Sequence, residues 1–309
     1  MRLAALLRVA SAGTMPSLER SHPSIDLVLS ARVRDLGEIT VRRVLPTAQR
    51  KLVGPFIFLD HMGPTVAGQG QHVNVRPHPH INLATVTYLF AGEILHRDSL
   101  GFTQPIRPGD VNWMTAGRGV VHSERSDPAS IASSLHGLQC WVALPTQYEE
   151  IEPSFRHHPK ASLPELKVLG GTLHVILGEA YGQRSPVETL SPTLYVAAEL
   201  ERGAELQLPR DYAERAAYVV EGAISVGEQR FSAGDLVIFK AGDQAAFRMD
   251  QNGRVMLLGG AKLDGERHIY WNFVSSSLER IERAKQDWRE GRFPKVPGDD
   301  VEFIPLPQD

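Results

Sequence analysis

Two short histidine motifs in the first half of the chain carry its clearest chemical signal. The first is His78-Pro79-His80, and the second is His122-Ser123-Glu124. In an extended strand, residues i and i+2 point to the same face, so each motif presents a pair of side chains on one side. If the two segments pair across a barrel, three imidazoles and one carboxylate converge. Such a set suits Fe(II), Mn, Ni, Cu or Zn and leaves positions for water or substrate.

The sequence predicts that short strands position these motifs. Residues 85–90, 111–114 and 139–144 are rich in β-branched or aromatic side chains, and Gly or Pro separates them. The chain contains 27 Gly and 21 Pro, which indicates many turns. Short strands without long helices between them favour a sandwich or barrel over a parallel α/β sheet.

The strand pattern occurs twice. Residues 88–94 align with 218–224, and the eight-residue step from Gly109 to Gly117 recurs from Gly234 to Gly242. The repetition predicts two similar lobes. In the second copy, the positions of the two histidine motifs are taken by Leu208, Arg210, Phe247 and Met249. The fold alone therefore does not require the histidines, and we expect a metal only in the first lobe.

Composition narrows the class of protein. The chain has 33 Lys+Arg against 36 Asp+Glu, a net charge of −3, which argues against direct nucleic-acid binding. A single cysteine, Cys140, excludes an intramolecular disulfide and a cysteine-rich metal site, and it favours a reducing, cytoplasmic location. No apolar run reaches about 18 residues, so no membrane association is expected.

The predicted organisation has four segments. Residues 1–24 are interpreted as a flexible extension, because Arg8 interrupts the apolar stretch that a signal peptide needs; Met15 is an alternative start. Residues 25–145 form the metal-binding domain, 146–190 a linker or crossing segment, and 191–309 a second domain without metal ligands. A C-terminal helix is predicted over residues 276–290, where Ser276 and Glu279 fit a capping box.

The remaining polar and thiol groups are interpreted as structural. His96, His136 and His174 are expected to be hydrogen-bonded parts of the fold, and His157 and His158 to lie on the surface. Arg97 and Asp98 are expected to form a solvated turn, and Cys140 to be a buried thiol. His61 is expected either to hydrogen-bond to a metal ligand or to lie in a capped turn.

Several motifs together resemble the pirin family of the cupin superfamily. The similar segments are residues 78–88, 96–101, 108–124, 135–139 and 271–277, and the longest of them is highly specific. The resemblance implies an all-β bicupin, with two jelly-roll β-barrels facing each other and a C-terminal helix. It also implies one metal, usually iron, held in the first barrel by His78, His80, His122 and Glu124.

One segment departs from the family pattern. Many pirins follow the second histidine with Arg-Gly-Phe-Glu, whereas Ile81-Asn82-Leu83-Ala84 stands here. Ordinary cupins place a glutamate ligand at the position of Ala84, so Glu124 must supply the carboxylate. The change also removes an Arg and a Glu from the surroundings of the site.

The function implied by the resemblance is a metal-dependent dioxygenase of the quercetin (flavonol) 2,3-dioxygenase type, which opens the flavonol ring with O₂, because bacterial pirins are linked to that activity. The expected substrates are a small phenolic molecule and O₂, with Glu124 as the general base. Mammalian pirin suggests a different class, a non-catalytic, iron-binding, redox-sensitive regulator that acts through a protein partner. A metal-dependent isomerase or decarboxylase is a third class that the cupin fold can support.

Overall fold

The computed structural model describes residues 24–36, 39–65, 73–126 and 134–307. The predicted extension therefore lies outside the described residues except for Ser24. In the first half of the described chain, the strands are β1 (Ile25–Ser30), β2 (Arg32–Asp35), β3 (Thr40–Leu45), β4 (Phe56–Met62), β5 (Asn74–His80), β6 (Leu83–Ala91), β7 (Ile94–Asp98), β8 (Thr103–Ile106), β9 (Val111–Thr115), β10 (Val120–Arg125) and β11 (His136–Ala143).

The second half repeats this pattern and ends in a helix. Its elements are β12 (Ser154–His158), β13 (Glu165–Val168), β14 (Gly171–Leu177), β15 (Glu179–Ala180), β16 (Gln183–Arg184), β17 (Thr193–Leu200), β18 (Glu205–Gln207), β19 (Glu214–Glu221), β20 (Ala223–Val226), β21 (Gln229–Ser232), β22 (Asp235–Phe239), β23 (Ala246–Met249), β24 (Gly253–Gly260), β25 (His268–Tyr270), β26 (Phe273–Ser275) and α1 (Leu278–Arg289).

Each lobe consists of one large and one small antiparallel sheet. The large N-terminal sheet has the order β12-β9-β6-β11-β4-β3-β2, and the small one has the order β5-β10-β7-β8. The C-terminal lobe repeats both, as β1-β22-β19-β24-β17-β14-β13 and β18-β23-β20-β21. Strand for strand the two orders correspond, which confirms the predicted duplication and the all-β fold.

The large sheets pack face to face through one hydrophobic core. Leu59 and Cys140 from the first lobe share this core with Tyr195 and Tyr218 from the second. The rings of Phe56 and Tyr195 lie 5.3 Å apart, and the Cys140 sulfur lies 3.4 Å from the Tyr195 hydroxyl. Burial raises the pKa of the Cys140 thiol to about 12, so Cys140 is a buried small side chain, as predicted.

The other face of each large sheet covers the interior of its own barrel. In the second barrel, Leu206 and Phe247 are cross-strand partners, and Leu208, Phe247 and Met249 are buried in its core. Three of the four side chains that occupy the places of the histidine motifs thus fill the second barrel with apolar groups, and the fourth, Arg210, is exposed. Where the first lobe carries imidazoles, the second lobe, apart from this arginine, carries side chains that pack in its core.

The lobes exchange edge strands. β1 precedes the first barrel in the chain but pairs with β22 of the C-terminal sheet. β12 follows the first barrel and pairs with β9 of the N-terminal sheet. The segment over residues 146–190 also contains β13 to β16, so it belongs to both lobes and carries regular structure for much of its length.

The C-terminal helix begins two residues later than predicted. Ser277 is its N-cap, and its side-chain oxygen accepts a hydrogen bond from the Arg280 amide at 3.2 Å. The Ser276 hydroxyl instead donates to the Glu149 carboxylate at 2.8 Å. Ile281 and Ala284 form its buried face. In the described part of the chain, no helix combines the length and apolar character needed to cross a membrane.

Candidate metal centre

Two neighbouring strands of the small N-terminal sheet bring the three histidines together. β5 supplies His78 and His80, and β10 supplies His122, which lies directly opposite His78. One ring nitrogen of each histidine lies within 4.8 Å of those of the other two. All three side chains are buried, and the ring nitrogens Nε2 of His80 and His122 are 3.1 Å apart. The predicted convergence of His78, His80 and His122 is therefore present in the fold.

Backbone carbonyls fix the ring orientation of the first two histidines. His78 Nδ1 lies 2.9 Å from the Arg76 carbonyl oxygen, and His80 Nδ1 lies 3.0 Å from that of Asn272. A carbonyl oxygen only accepts hydrogen bonds, so each Nδ1 carries the proton and donates. The Nε2 atoms consequently keep their lone pairs for a ligand role.

A chain of two side chains orients the third histidine. His96 Nε2 lies 2.9 Å from the Asp98 carboxylate and donates to it, which leaves His96 Nδ1 as an acceptor. His122 Nδ1 lies 3.4 Å from that atom and donates to it. The lone pair of His122 Nε2 is then also free. This arrangement matches the usual support of metal-binding histidines by carboxylates and carbonyls.

The donor set fits a divalent metal ion. With metal–nitrogen bonds of about 2.1 Å, two nitrogen ligands at a right angle are separated by about 3.0 Å, close to the His80–His122 spacing. Burial lowers the pKa of His78 to about 4 and places the pKa of His80 and of His122 well below their usual range. The three rings are therefore neutral at pH 7, the state in which imidazole binds a metal.

Glu124 shares the barrel interior with His122 but stands apart from the histidine group. β10 pairs in regular register with β7, with His122 opposite Asp98 and Glu124 opposite His96, so both side chains point inward. The Glu124 carboxylate is not among the mutually close ligand atoms. The register between β10 and β5 shifts between His122 and Glu124, which separates this residue from His78 and His80. Burial raises the Glu124 pKa to about 7.

The large sheet covers the histidines with an aromatic row. Cross-strand pairing aligns Phe58, Trp141, Thr85, Met114 and Phe155. The Trp141 ring lies 5.0 Å from His80, and Phe155 stacks on His96 at 4.4 Å. Phe58 stacks on Trp141 at 4.0 Å. The metal site therefore has aromatic walls on the side of the large sheet.

Two residues further along the same strands, a row of polar side chains crosses the whole large sheet, and we call it the polar row. Its members are Arg32, Arg43, Asp60, Gln139, Thr87, Asn112 and His157. Thr87 donates to the Gln139 side-chain oxygen at 2.7 Å, and His157 lies 2.8 Å from the Asn112 side-chain oxygen. The barrel interior next to the site thus offers hydrogen-bonding groups, in contrast to the apolar interior of the second lobe.

A second histidine pair lies between the lobes. His61 Nε2 is 2.8 Å from His136 Nε2, and His61 Nδ1 is 2.7 Å from the Tyr218 hydroxyl. The Arg42 guanidinium lies 2.9 Å from His61 Nε2, and a neighbouring cation disfavours a metal ion there. Burial lowers the pKa of His61 to about 2 and that of His136 to about 4. These histidines form an interlobe hydrogen-bond network, and His136 has the structural role predicted for it.

Sequence reasoning missed part of the support of the site. His96 was expected to be a hydrogen-bonded structural group, and it is. One of its two hydrogen-bond partners, however, is the candidate ligand His122. The expectation of a solvated turn at Asp98 was wrong, because this carboxylate is fully buried and accepts from the amides of Leu100 and Phe102. His96 and Asp98 also stand at i and i+2 of a strand, so the rule that paired the ligands could have identified them.

Two face-to-face β-barrels of equal topology, one of them carrying a buried histidine site, define the chain as a bicupin. Sequence comparison then gives the family. The Pirin family profile matches residues 38–142, and the profile of the Pirin C-terminal cupin domain matches residues 195–294. The chain belongs to the pirin family.

Individual relatives cover nearly the full chain. A pirin-like protein of Caulobacter vibrioides is 49% identical over 288 residues, which is 92% of this chain and 100% of that protein. A crystal structure of a quercetin 2,3-dioxygenase from Acinetobacter baumannii superposes with a TM-score of 0.84 at 30% identity, over 92% of this chain and 95% of that one. A second such structure from the same organism gives a TM-score of 0.81 at 26% identity, over 87% and 98%.

Proposed function

We propose that this pirin is a metal-dependent oxygenase that opens the ring of flavonol-like phenols, as quercetin 2,3-dioxygenases do. The observation that carries the proposal is the set of three neutral histidines with their free Nε2 atoms directed at one point. The structural likeness to a quercetin 2,3-dioxygenase supports the choice of substrate class. We expect Fe(II) as the metal, with Mn, Ni, Cu or Zn as alternatives that the same donor set accepts.

The residues that would hold the metal are His78, His80 and His122, with Glu124 as the proposed fourth ligand. When bound, the metal would stabilise a deprotonated phenol and supply the redox chemistry that a reaction with O₂ requires. The chain contributes three imidazoles that are already neutral and oriented. Little reorganisation is therefore needed for binding.

Glu124 is proposed to take the proton from the reacting hydroxyl group. Three neutral imidazoles whose Nε2 atoms face the metal offer no free base, whereas Glu124 lies on the same interior face as His122. In the metal-free protein, burial raises the pKa of Glu124 to about 7, so this carboxylate holds a proton more readily than an exposed one does. The Glu124 carboxylate would accept the proton and later return it to a leaving group or to water.

The barrel interior suits a flat molecule with several hydroxyl groups. The rings of Trp141 and Phe58 provide apolar contact beside His80. The polar row provides hydrogen-bond partners one step further along the sheet, among them Asp60, Thr87 and Gln139. An aromatic wall beside a line of polar groups is the complement that a polyphenol needs.

Oxygen uptake with a flavonol tests the proposal directly. Protein loaded in turn with Fe(II), Mn(II) and Ni(II) should consume O₂ when quercetin is added. His122→Ala should lose both the metal and the uptake. Glu124→Gln should keep much of the metal but lose roughly 10²-fold or more of the turnover. His174→Ala, a half-buried histidine of the second lobe, is the matched control and should behave as the wild type.

The outcomes separate the candidate functions. If Glu124→Gln turns over as fast as the wild type, the role of this residue as base is wrong. If the wild type binds metal but consumes no O₂ with any flavonol, the oxygenase proposal fails. A metal-binding regulator acting through a protein partner would then be the better description.

A further inference from the structure

A basic cleft lies at the free edge of the large N-terminal sheet, and its position differs from that of the histidine site. Its volume is about 450 Å³. Its lining includes five cationic side chains and no acidic one: Arg32, Arg34, Arg43, Lys51 and Arg267. Thr47 adds a neutral polar group at the wall. For a chain with a net charge of −3, this is a local concentration of positive charge.

Strand pairing forces two of these charges together. Arg32 on β2 lies directly opposite Arg43 on β3, and Arg34 stands two residues from Arg32 on the same face. Like charges at directly opposed positions of an antiparallel pair destabilise a sheet. β2 is an edge strand, so these side chains line an open surface, and all four of its residues are exposed.

Two of the five cations are neutralised by carboxylates behind the cleft. Arg43 forms two hydrogen bonds of 2.8 Å to Asp60. The buried Arg267 is held by Asp264 at 2.6 Å and by the Leu144 carbonyl at 2.8 Å. These contacts hold both guanidinium groups in fixed positions at the cleft wall.

The charges of Arg32 and Arg34 lack such compensation. Arg32 donates to the Pro46 carbonyl at 2.7 Å, a neutral acceptor. Arg34 is attracted electrostatically to Asp60, but among the residues that the structure describes it forms no direct ion pair with a carboxylate. Lys51 pairs with Glu266 at 3.2 Å, but both side chains are more than half exposed, so this pair contributes little.

We propose that this cleft binds a small molecule through a polyvalent oxyanion group, a phosphate or diphosphate. Guanidinium groups bind such oxygens in a forked geometry, and Arg32 and Arg34, which stand on the same face of an exposed edge strand, can contact several oxygens at once. A bound oxyanion would also offset the repulsion between Arg32 and Arg34, which stand on the same face of β2. The volume is large enough for a ligand of small-metabolite size. This proposal does not rest on the proposed oxygenase activity, although Arg32 and Arg43 also form the outer end of the polar row.

Isothermal titration of the full chain with pyrophosphate tests the proposal, at constant ionic strength set with chloride. The wild type should bind with a measurable Kd, and Arg32→Gln/Arg34→Gln should bind roughly 10²-fold more weakly, because each charge-assisted contact is worth about tenfold. Arg156→Gln is the matched control, an exposed arginine on the opposite edge strand, and should bind as the wild type. Equal binding by the double variant and the control would overturn the site assignment.

Thermal unfolding gives a second, independent readout. Without pyrophosphate, the double variant should melt at or above the Tm of the wild type, because a repulsive pair has been removed. With pyrophosphate, only the wild type and Arg156→Gln should gain Tm. A lower Tm of the double variant without ligand would contradict the repulsion argument.

Two further probes identify the source of the oxyanion. Citrate tests whether carboxylates bind equally well, and phosphatidylglycerol vesicles test a lipid headgroup. Tighter binding of pyrophosphate than of citrate, without association with the vesicles, is the expected result. Association with vesicles in the absence of any pyrophosphate binding would refute the small-molecule site.

Discussion

The buried chain Asp98–His96–His122 allows a prediction about metal affinity that does not depend on the reaction. We consider His96→Phe, because Phe keeps the ring that stacks on Phe155, where the centroids lie 4.4 Å apart at an interplanar angle of 13°. The substitution removes the acceptor for His122 Nδ1. It therefore tests the hydrogen bond with little change in packing volume.

The expected magnitude follows from the geometry of that hydrogen bond. Loss of a partner that orients a metal-binding histidine typically reduces metal affinity by about 10- to 100-fold. The His122–His96 separation of 3.4 Å is long for a hydrogen bond, so we expect the lower end, about tenfold. A tenfold change in Kd corresponds to about 1.4 kcal/mol.

Competition with a chromophoric chelator measures the metal Kd without any assay of turnover. His174→Phe is the control, since this histidine is half-buried on β14 of the second lobe. His96→Phe/Asp98→Asn tests whether the effect arises from an unpaired Asp98 carboxylate, and it should give the same loss as the single variant. Metal affinity of His96→Phe within twofold of the wild type would refute the orienting role of His96.

Three further predictions concern stability and reactivity. Burial lowers the pKa of His61 to about 2 and of His136 to about 4, below the usual 6.5, so the unfolded chain binds more protons than the folded one on acidification. The free energy of unfolding of the metal-free protein should therefore fall by up to about 1.4 kcal/mol per pH unit per histidine from pH 6.5 to 5. Urea midpoints that stay constant over this range would contradict this prediction. Gly117→Ala should destabilise the protein by about 2 kcal/mol or more, since φ is +48° and a Cβ would lie 2.0 Å from a backbone oxygen. Gly101→Ala should cost only about 1 kcal/mol, because φ is +92° but no atom lies within 4 Å of the added Cβ. Equal urea midpoints for the two variants would be inconsistent with the steric argument. Cys140, with its pKa raised to about 12 by burial, should react with a thiol reagent only after unfolding, and rapid labelling of the native protein would show that the interlobe core opens.

The sequence predicted the convergence of the three histidines because its information is local. The i, i+2 rule placed His78 with His80, and the expected pairing of the two motif segments across a barrel brought His122 to them. The comparison with Phe247 and Met249 of the second copy restricted the site to one lobe, and both side chains are buried in the apolar core of the second barrel. Such rules depend only on strand geometry, which the chain itself determines.

Features that depend on distant partners escaped prediction. The helix cap is Ser277 and not Ser276, whose hydroxyl binds Glu149, more than 120 residues away in the chain. The burial of Asp98 depends on the pairing of β7 with β10, which places it opposite His122. The polar row becomes visible only when seven strands are placed in register, and no single segment of the sequence shows it.

The exchange of β1 and β12 makes the two barrels mutually dependent. A fragment ending near residue 145 would carry β1 without its partner β22 and would leave the β9 edge without β12. Unpaired edges of this kind promote aggregation. A fragment holding only the second barrel would in turn have the open edge of β22. Although the chain contains one architecture twice, neither copy can be excised as a self-sufficient domain, and the metal-binding half can be studied only within the whole molecule.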